Sequence, residues 1–277
     1  MVKHATDDIA AWVLVAPAVL FLVLMFSIPI AYVLLLSFTD PSVSFDHYRR
    51  LVSVPLYSSV LINTFVTSFV VTLSCLALGY PLSYVMARRN DLLSVTLLAI
   101  VTMSFWTGFL VRTYSWLIIL GNKGPVMLVA DFFNLGKPPQ LLFTSFSSRL
   151  GMTHILLPYM VLALYSVMRK IDPNHLRAAA SLGAAPFASF RTVYLPLSLS
   201  GVVNGSVLVF TICLGFFVTP MLLGTPKDMM ISQLISQQLE DLLAWGFASA
   251  VAILLLVTTA VLLLVCNKFT KLDGENP

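Results

Sequence analysis

Apolar residues run along this chain in long blocks, and the charged residues are confined to the gaps between them. Six stretches, 9–39, 51–87, 92–111, 150–168, 192–226 and 242–267, contain no Asp, Glu, Lys or Arg. A helix needs about 20 predominantly apolar residues to cross a hydrocarbon core of roughly 30 Å. Each stretch meets or nearly meets that length. The pattern predicts an all-α polytopic membrane protein with six transmembrane helices, at roughly 11–38, 58–87, 92–120, 148–168, 197–223 and 244–267. Prolines fall inside several of them: Pro17, Pro29, Pro81, Pro158 and Pro220. A membrane bundle tolerates such kinks when neighbours satisfy the freed carbonyls. Gly121, Gly124-Pro125, Gly136 and Pro138-Pro139 mark 121–147 as an irregular outer loop with one short apolar helix.

Composition strengthens this picture. Of 277 residues, 58% are apolar and 10% charged, with a mean hydropathy of +0.93. Soluble domains carry about 25% charge, so a soluble globular enzyme is all but excluded. The net charge of +4 reflects loop topology and implies no nucleic acid. Cys75, Cys213 and Cys266 all lie in apolar stretches without paired spacing, and read as small packing residues rather than a disulfide or zinc set. The first block far exceeds a signal-peptide core and follows Asp7 and Asp8, so it reads as a retained span. Arg88-Arg89 in the tightest turn, and Arg169, Lys170, Arg177 and Arg191 against Asp172 alone in 169–191, place both termini in the cytoplasm.

The segment 171–183 (IDPNHLRAAASLG) is the informative loop. Asp172 suits an N-cap, Pro173 the first helical position, the alanines the interior and Gly183 the C-terminus. A capped helix is expected there, with a small apolar surface of Leu176, Ala178, Ala179, Ala180 and Leu182. Small residues permit close approach, so it could dock into another protein's groove. A short amphipathic helix lying under its own bundle or at the lipid headgroups is the alternative.

Ala178-Ala179, Gly183, Val193, Leu195 and Pro196 resemble the E-A-A-x3-G-x9-I-x-L-P signature of permease subunits of bacterial ABC importers. Arg177 stands where that signature has glutamate, so a salt bridge from this position does not carry over. The resemblance runs from about residue 57 to 265. It includes Asn63-Thr64, 79–84 (GYPLSY), 105–114 (FWTGFLVRTY), 217–224 (FVTPMLLG) and 245–250 (WGFASA). These look like the spermidine/putrescine branch, which also holds members for opines and aminophosphonates.

The resemblance implies a type I ABC importer permease fold and a single transmembrane permease domain over 1–277, in a bacterial inner membrane. It makes 169–196 the cytoplasmic coupling loop, with Arg177, Ala178, Ala179, Leu182, Gly183 and Pro196 as ATPase-coupling residues. It implies two ATPase subunits that bind ATP and Mg, a second homologous permease, and a periplasmic or lipid-anchored solute-binding protein.

Phe105, Trp106, Arg112, Tyr114, Phe217 and Trp245 are the residues expected on the translocation path or gate. Arg112 lies within the third span, where a charge normally faces the bundle interior, a partner or water. It reads equally as a snorkelling interfacial arginine. The aromatic rings could meet a cation, or simply pack helices. Gln233, Gln237, Gln238, Glu240 and Asp241 form a polar outer segment that could guide a cationic solute or be a solvated loop face. His154 and His175 suggest no metal.

No G-x4-G-K-[ST] sequence is present, so the chain cannot cradle ATP phosphates itself and binds no cofactor of its own. A stand-alone secondary transporter is the alternative. It would place coupling carboxylates at the midplane, and the six expected spans contain neither Asp nor Glu. An intramembrane enzyme finds no Ser/His/Asp set or metal cluster to support it.

Overall fold

A computed structural model describes residues 2–40, 42–89, 91–133 and 140–272, with side chains described over 15–40, 42–89, 91–133 and 140–264. Gly136, Lys137 and Pro138-Pro139 lie outside the described residues. So do the side chains of Asp7, Asp8 and Cys266. The described residues form thirteen α-helices and no strand. In order they are α1 (Val2–Thr39), α2 (Asp46–Ser53), α3 (Pro55–Arg88), α4 (Leu92–Met103), α5 (Phe109–Leu120), α6 (Pro125–Phe132) and α7 (Ser145–Met168). They continue as α8 (Pro173–Ser181), α9 (Pro186–Ser189), α10 (Leu195–Leu214), α11 (Val218–Leu223), α12 (Ile231–Glu240) and α13 (Trp245–Leu272).

Five helical segments are long and apolar enough to cross a membrane, and a sixth span is a bent pair, Leu92–Trp106 with Phe109–Phe132 at 99°. The sequence predicts one continuous span over 92–120. Thr107 and Gly108 instead adopt extended backbone and end one helix before the next begins. The fifth expected span, 197–223, likewise ends its regular helix at Leu214. Pro220 is therefore no kink. It lies in the first turn of α11, where an N–H has no helical partner to lose.

The chain forms two compact units. The smaller comprises Met1–Val54 and Ile235–Val257. In it the Asp40 carboxylate accepts the Gly246 N–H at 2.9 Å, and the His47 ring lies 2.6 Å from the Asp40 carbonyl oxygen. A Cβ on residue 246 would stand 2.7 Å from that same carbonyl oxygen, so only glycine admits the approach. Arg50 lies 4.8 Å over the Phe247 ring.

The larger unit comprises Pro55–Leu234 and Thr258–Pro277 and is built on α3, α7 and α10. Val71 and Cys75 of α3, Met152 to Met168 of α7 and Val209 and Cys213 of α10 form one buried cluster. Cys75 and Cys213 are free and buried, as packing residues should be. Polar side chains stitch the helices where no water competes. Ser83 Oγ donates to the Val161 carbonyl at 3.0 Å, and Asn63 Nδ2 to that of Met229 at 3.1 Å.

A short turn, Pro226–Asp228, follows α11 in this unit. Asp228 accepts from the Thr225 N–H at 3.0 Å and the Thr225 hydroxyl at 2.6 Å, and from the Ser145 hydroxyl. Burial opposes its ionisation, but those hydrogen bonds and the Arg149 charge outweigh it and hold the carboxyl below its ordinary value. A depressed folded pKa gives stability that is present above about pH 4 and lost as pH falls through the folded value. Asp228→Asn is expected to lower the melting temperature at neutral pH. The gap to wild type should close on acidification below the ordinary carboxylate range. A pH-independent gap would show that the carboxylate's charge is not what stabilises the turn.

Candidate functional site

The two helix breaks meet at one cavity of about 460 Å³. Phe105, Thr107, Gly108 and Phe109 come from the first break, and Gly215, Phe216, Phe217 and Val218 from the second. Ile155, Leu156 and Tyr159 of α7 and Arg112 of α5 complete most of the wall. Phe105 meets Tyr159 edge-on at 4.9 Å between centroids. The Arg112 guanidinium donates to the Ser104 hydroxyl at 3.5 Å and the Ile155 carbonyl at 3.4 Å. Its buried Nε has no partner among the described residues. Arg112 thus bridges the first break to α7, while Thr113 and Thr219, 3.1 Å apart, tie α5 to α11.

Of the residues expected on the path, Phe105, Arg112 and Phe217 line this cavity. Trp106 and Tyr114 are exposed and are not in its wall. Trp245 belongs to the smaller unit and is exposed. Sequence reasoning missed Tyr159 and Thr219. The nearest local signal was Thr107-Gly108, close after Thr102 and Ser104 in an uncharged run. His154 has a plain structural partner, accepting the Trp116 indole N–H at 3.2 Å.

The 169–196 loop presents a second surface. Asp172 caps α8 by accepting the Asn174 N–H at 2.8 Å, and Pro173 takes the first turn. At the other end the Ala184 N–H reaches the Ala179 carbonyl at 3.1 Å and the Gly183 N–H that of Ala180 at 3.0 Å. That pair of bonds needs a left-handed residue, and Gly183 supplies it with φ +83°. Open space surrounds the position a Gly183 Cβ would take. Arg177, Ala178 and Gly183 are exposed, Ala179 is half-buried, and Leu182 is 89% exposed. Leu176, expected on this apolar surface, turns the other way and packs against the core with Ile171 and Phe190. Among the described residues the Arg177 guanidinium donates to the Asn174 side-chain oxygen, at 3.3 Å. Pro196 lies in the first turn of α10.

Residues 79–267 match the family of binding-protein-dependent transport system inner membrane components. The chain belongs to that family. It is the transmembrane subunit of a binding-protein-dependent ABC importer, a permease rather than an enzyme. The permease is 33% identical over 237 residues to the spermidine/putrescine transport system permease protein PotB of Salmonella typhimurium strain LT2. That match covers 85% of this permease and 82% of the relative. It is 35% identical over 231 residues to the protein of the same name in Haemophilus influenzae, covering 83% and 80%. Among solved structures it resembles a chain of the bacterial alginate ABC transporter in complex with its alginate pentasaccharide-bound periplasmic protein. The TM-score is 0.78 at 17% identity, covering 99% of this permease and 98% of that chain. A chain of the MetNI methionine ABC transporter matches with TM-score 0.58 and 17% identity, over 79% of this permease and 98% of that chain.

The Thr113–Thr219 link beside the cavity can be measured in the permease by a double-mutant cycle. Thr113→Val should cost about 1 kcal/mol of thermal stability, because it strands the buried Thr219 hydroxyl; Thr219→Val should cost less, because the Thr113 hydroxyl keeps its bond to the Phe109 carbonyl at 2.9 Å. The double variant should cost less than the sum of the two. Strict additivity would show that the two hydroxyls do not act together.

Proposed function

We propose that the permease forms half of the translocation pathway of an importer for a small amine-bearing solute, spermidine or putrescine being the first to test. The observation that carries this is the identity of about one third, over more than four fifths of the chain, to the spermidine/putrescine permeases. Residues 1–277 act as one permease domain with both termini in the cytoplasm. A second homologous permease completes the pathway, two ATPase subunits bind ATP and Mg, and a periplasmic or lipid-anchored binding protein delivers the solute.

In this reading the cavity between the two breaks is a station on the path. Phe105, Tyr159 and Phe217 put aromatic rings in its wall, and such rings attract an ammonium group. Arg112 repels the same group, which favours passage over retention, since conduction requires sites weak enough to leave. Trp106, Tyr114 and Trp245, exposed in this chain, are left to meet other parts of the path. The loop is the docking element, in which Ala178, Ala179 and Leu182 enter an ATPase groove, Gly183 lets the chain turn and Pro196 restarts the helix. Arg177 faces the same partner. Closure of the ATPases on ATP pushes α8, and the spans rock between inward and outward opening.

Uptake of spermidine or putrescine by the whole system should be saturable, ATP-dependent and insensitive to uncouplers while ATP is maintained. Competition by an aminophosphonate or opine but by neither polyamine would overturn the substrate and leave the transporter. Ala179→Glu would desolvate a charge in the interface at several kcal/mol if unpaired, and Gly183→Asp would strain the turn. Both variants should reach normal membrane abundance and lose uptake. Normal uptake by both would exclude this helix as the transmission element.

A further inference from the structure

Between the exposed loop and α3 lies an irregular turn that neither the cavity nor the docking surface uses. Residues Phe190–Tyr194 form a π turn in which the Leu195 N–H reaches back five residues to the Phe190 carbonyl. Such a turn carries one residue more than an α-helical one. Passing that residue along the helix rotates the side chains by about 100°. The turn touches α8 and α9 and runs directly into α10.

Its rings interlock with α3. Tyr84 meets Phe190 edge-on at 5.7 Å and Tyr194 at 4.9 Å. The Arg88 guanidinium stands 5.9 Å from the centroids of both Tyr84 and Tyr194. Tyr194 is 1% exposed, and its hydroxyl has no hydrogen-bond partner among the described residues. The buried hydroxyl of Ser189, just before the turn, is unpartnered in the same way. The neighbouring Tyr80 hydroxyl, by contrast, pairs with Ser198 at 2.9 Å. Buried polar atoms are nearly always paired, and each exception asks for a reason. Here two exceptions bracket the one π turn among the described residues.

We propose that Tyr194 is a positioning residue for coupling. Its hydroxyl is unpaired in this structure and accepts a hydrogen bond from Arg88 when movement of α8 shifts the Phe190–Tyr194 turn, so that a push on the loop reaches α3. Arg88 is the donor because its guanidinium already stands by the Tyr194 ring and carries several N–H groups. The proposal rests on the loop being the ATPase-docking element.

The test uses the importer reconstituted with its ATPase, second permease and binding protein. Tyr194→Phe removes the hydroxyl and keeps the ring. The variant should match wild type in abundance, be at least as stable to heat, and hydrolyse ATP normally without binding protein. Stimulation by loaded binding protein and solute moved per ATP should each fall about fivefold, the weight of one hydrogen bond. Arg88→Gln should give the same loss, and the double variant no more than either alone. A purely structural ring would make Tyr194→Phe silent. Unchanged stimulation and uptake per ATP in Tyr194→Phe, or additive losses in the double variant, would overturn the proposal alone. A wild-type complex whose hydrolysis ignores loaded binding protein would overturn the docking reading and this proposal with it.

Discussion

The larger unit depends on α7 packing against α3 and α10 at once. Met152, Leu156, Met160, Leu164 and Met168 recur every fourth residue and are buried, so one ridge of α7 runs the length of the core. Both neighbouring helices meet Met160 with a glycine. A Cβ on Gly79 would lie 3.1 Å from its Cγ, and one on Gly205 2.8 Å from its Sδ. Lipid tails are as apolar as these side chains, so close van der Waals contact, rather than exclusion from water, holds such helices together. Methionine suits a place that must be filled from two sides, because its unbranched chain adapts to both. The same helix touches α4, α5 and α11 and supplies Ile155, Leu156 and Tyr159 to the cavity wall.

The cavity follows from a second constraint. Backbone groups inside a bilayer must be satisfied by protein or by a water-lined space, so an irregular backbone is tolerated only there. Two spans break within this unit, at Thr107-Gly108 and at Gly215–Phe217, and both breaks border the same space. Arg112 donates to a side chain at one break and to an α7 carbonyl. Its charge is thereby engaged within the unit, which favours the interior reading over an arginine that snorkels to the interface.

How much could be read from the sequence follows the range of each cause. The apolar blocks and the caps of α8 are local, and Asp172, Pro173 and Gly183 behave as their chemistry dictates. The break in the third span was not legible, because neither proline nor charge marks it and Gly108 alone does not force one. Pro220 misled in the other direction, since a proline in a first helical turn and one at a kink look alike without knowing where α10 ends. Leu176 turns inward because Phe190 and Ile171 lie on that side, a fact carried by tertiary contacts. The π turn at Phe190–Tyr194 was invisible for the same reason. It exists among the rings of Tyr80 and Tyr84, which come from a helix about a hundred residues earlier.

The docking of α8 is the central claim for function, and Leu182 reports on it most directly because it is 89% exposed at the tip of the loop. A cysteine placed there should react with an impermeant thiol reagent only from the cytoplasmic face of sided membrane vesicles. Its reaction should slow sharply when the ATPase subunits are bound. Labelling from the periplasmic face, or a cytoplasmic rate indifferent to the ATPase, would contradict it.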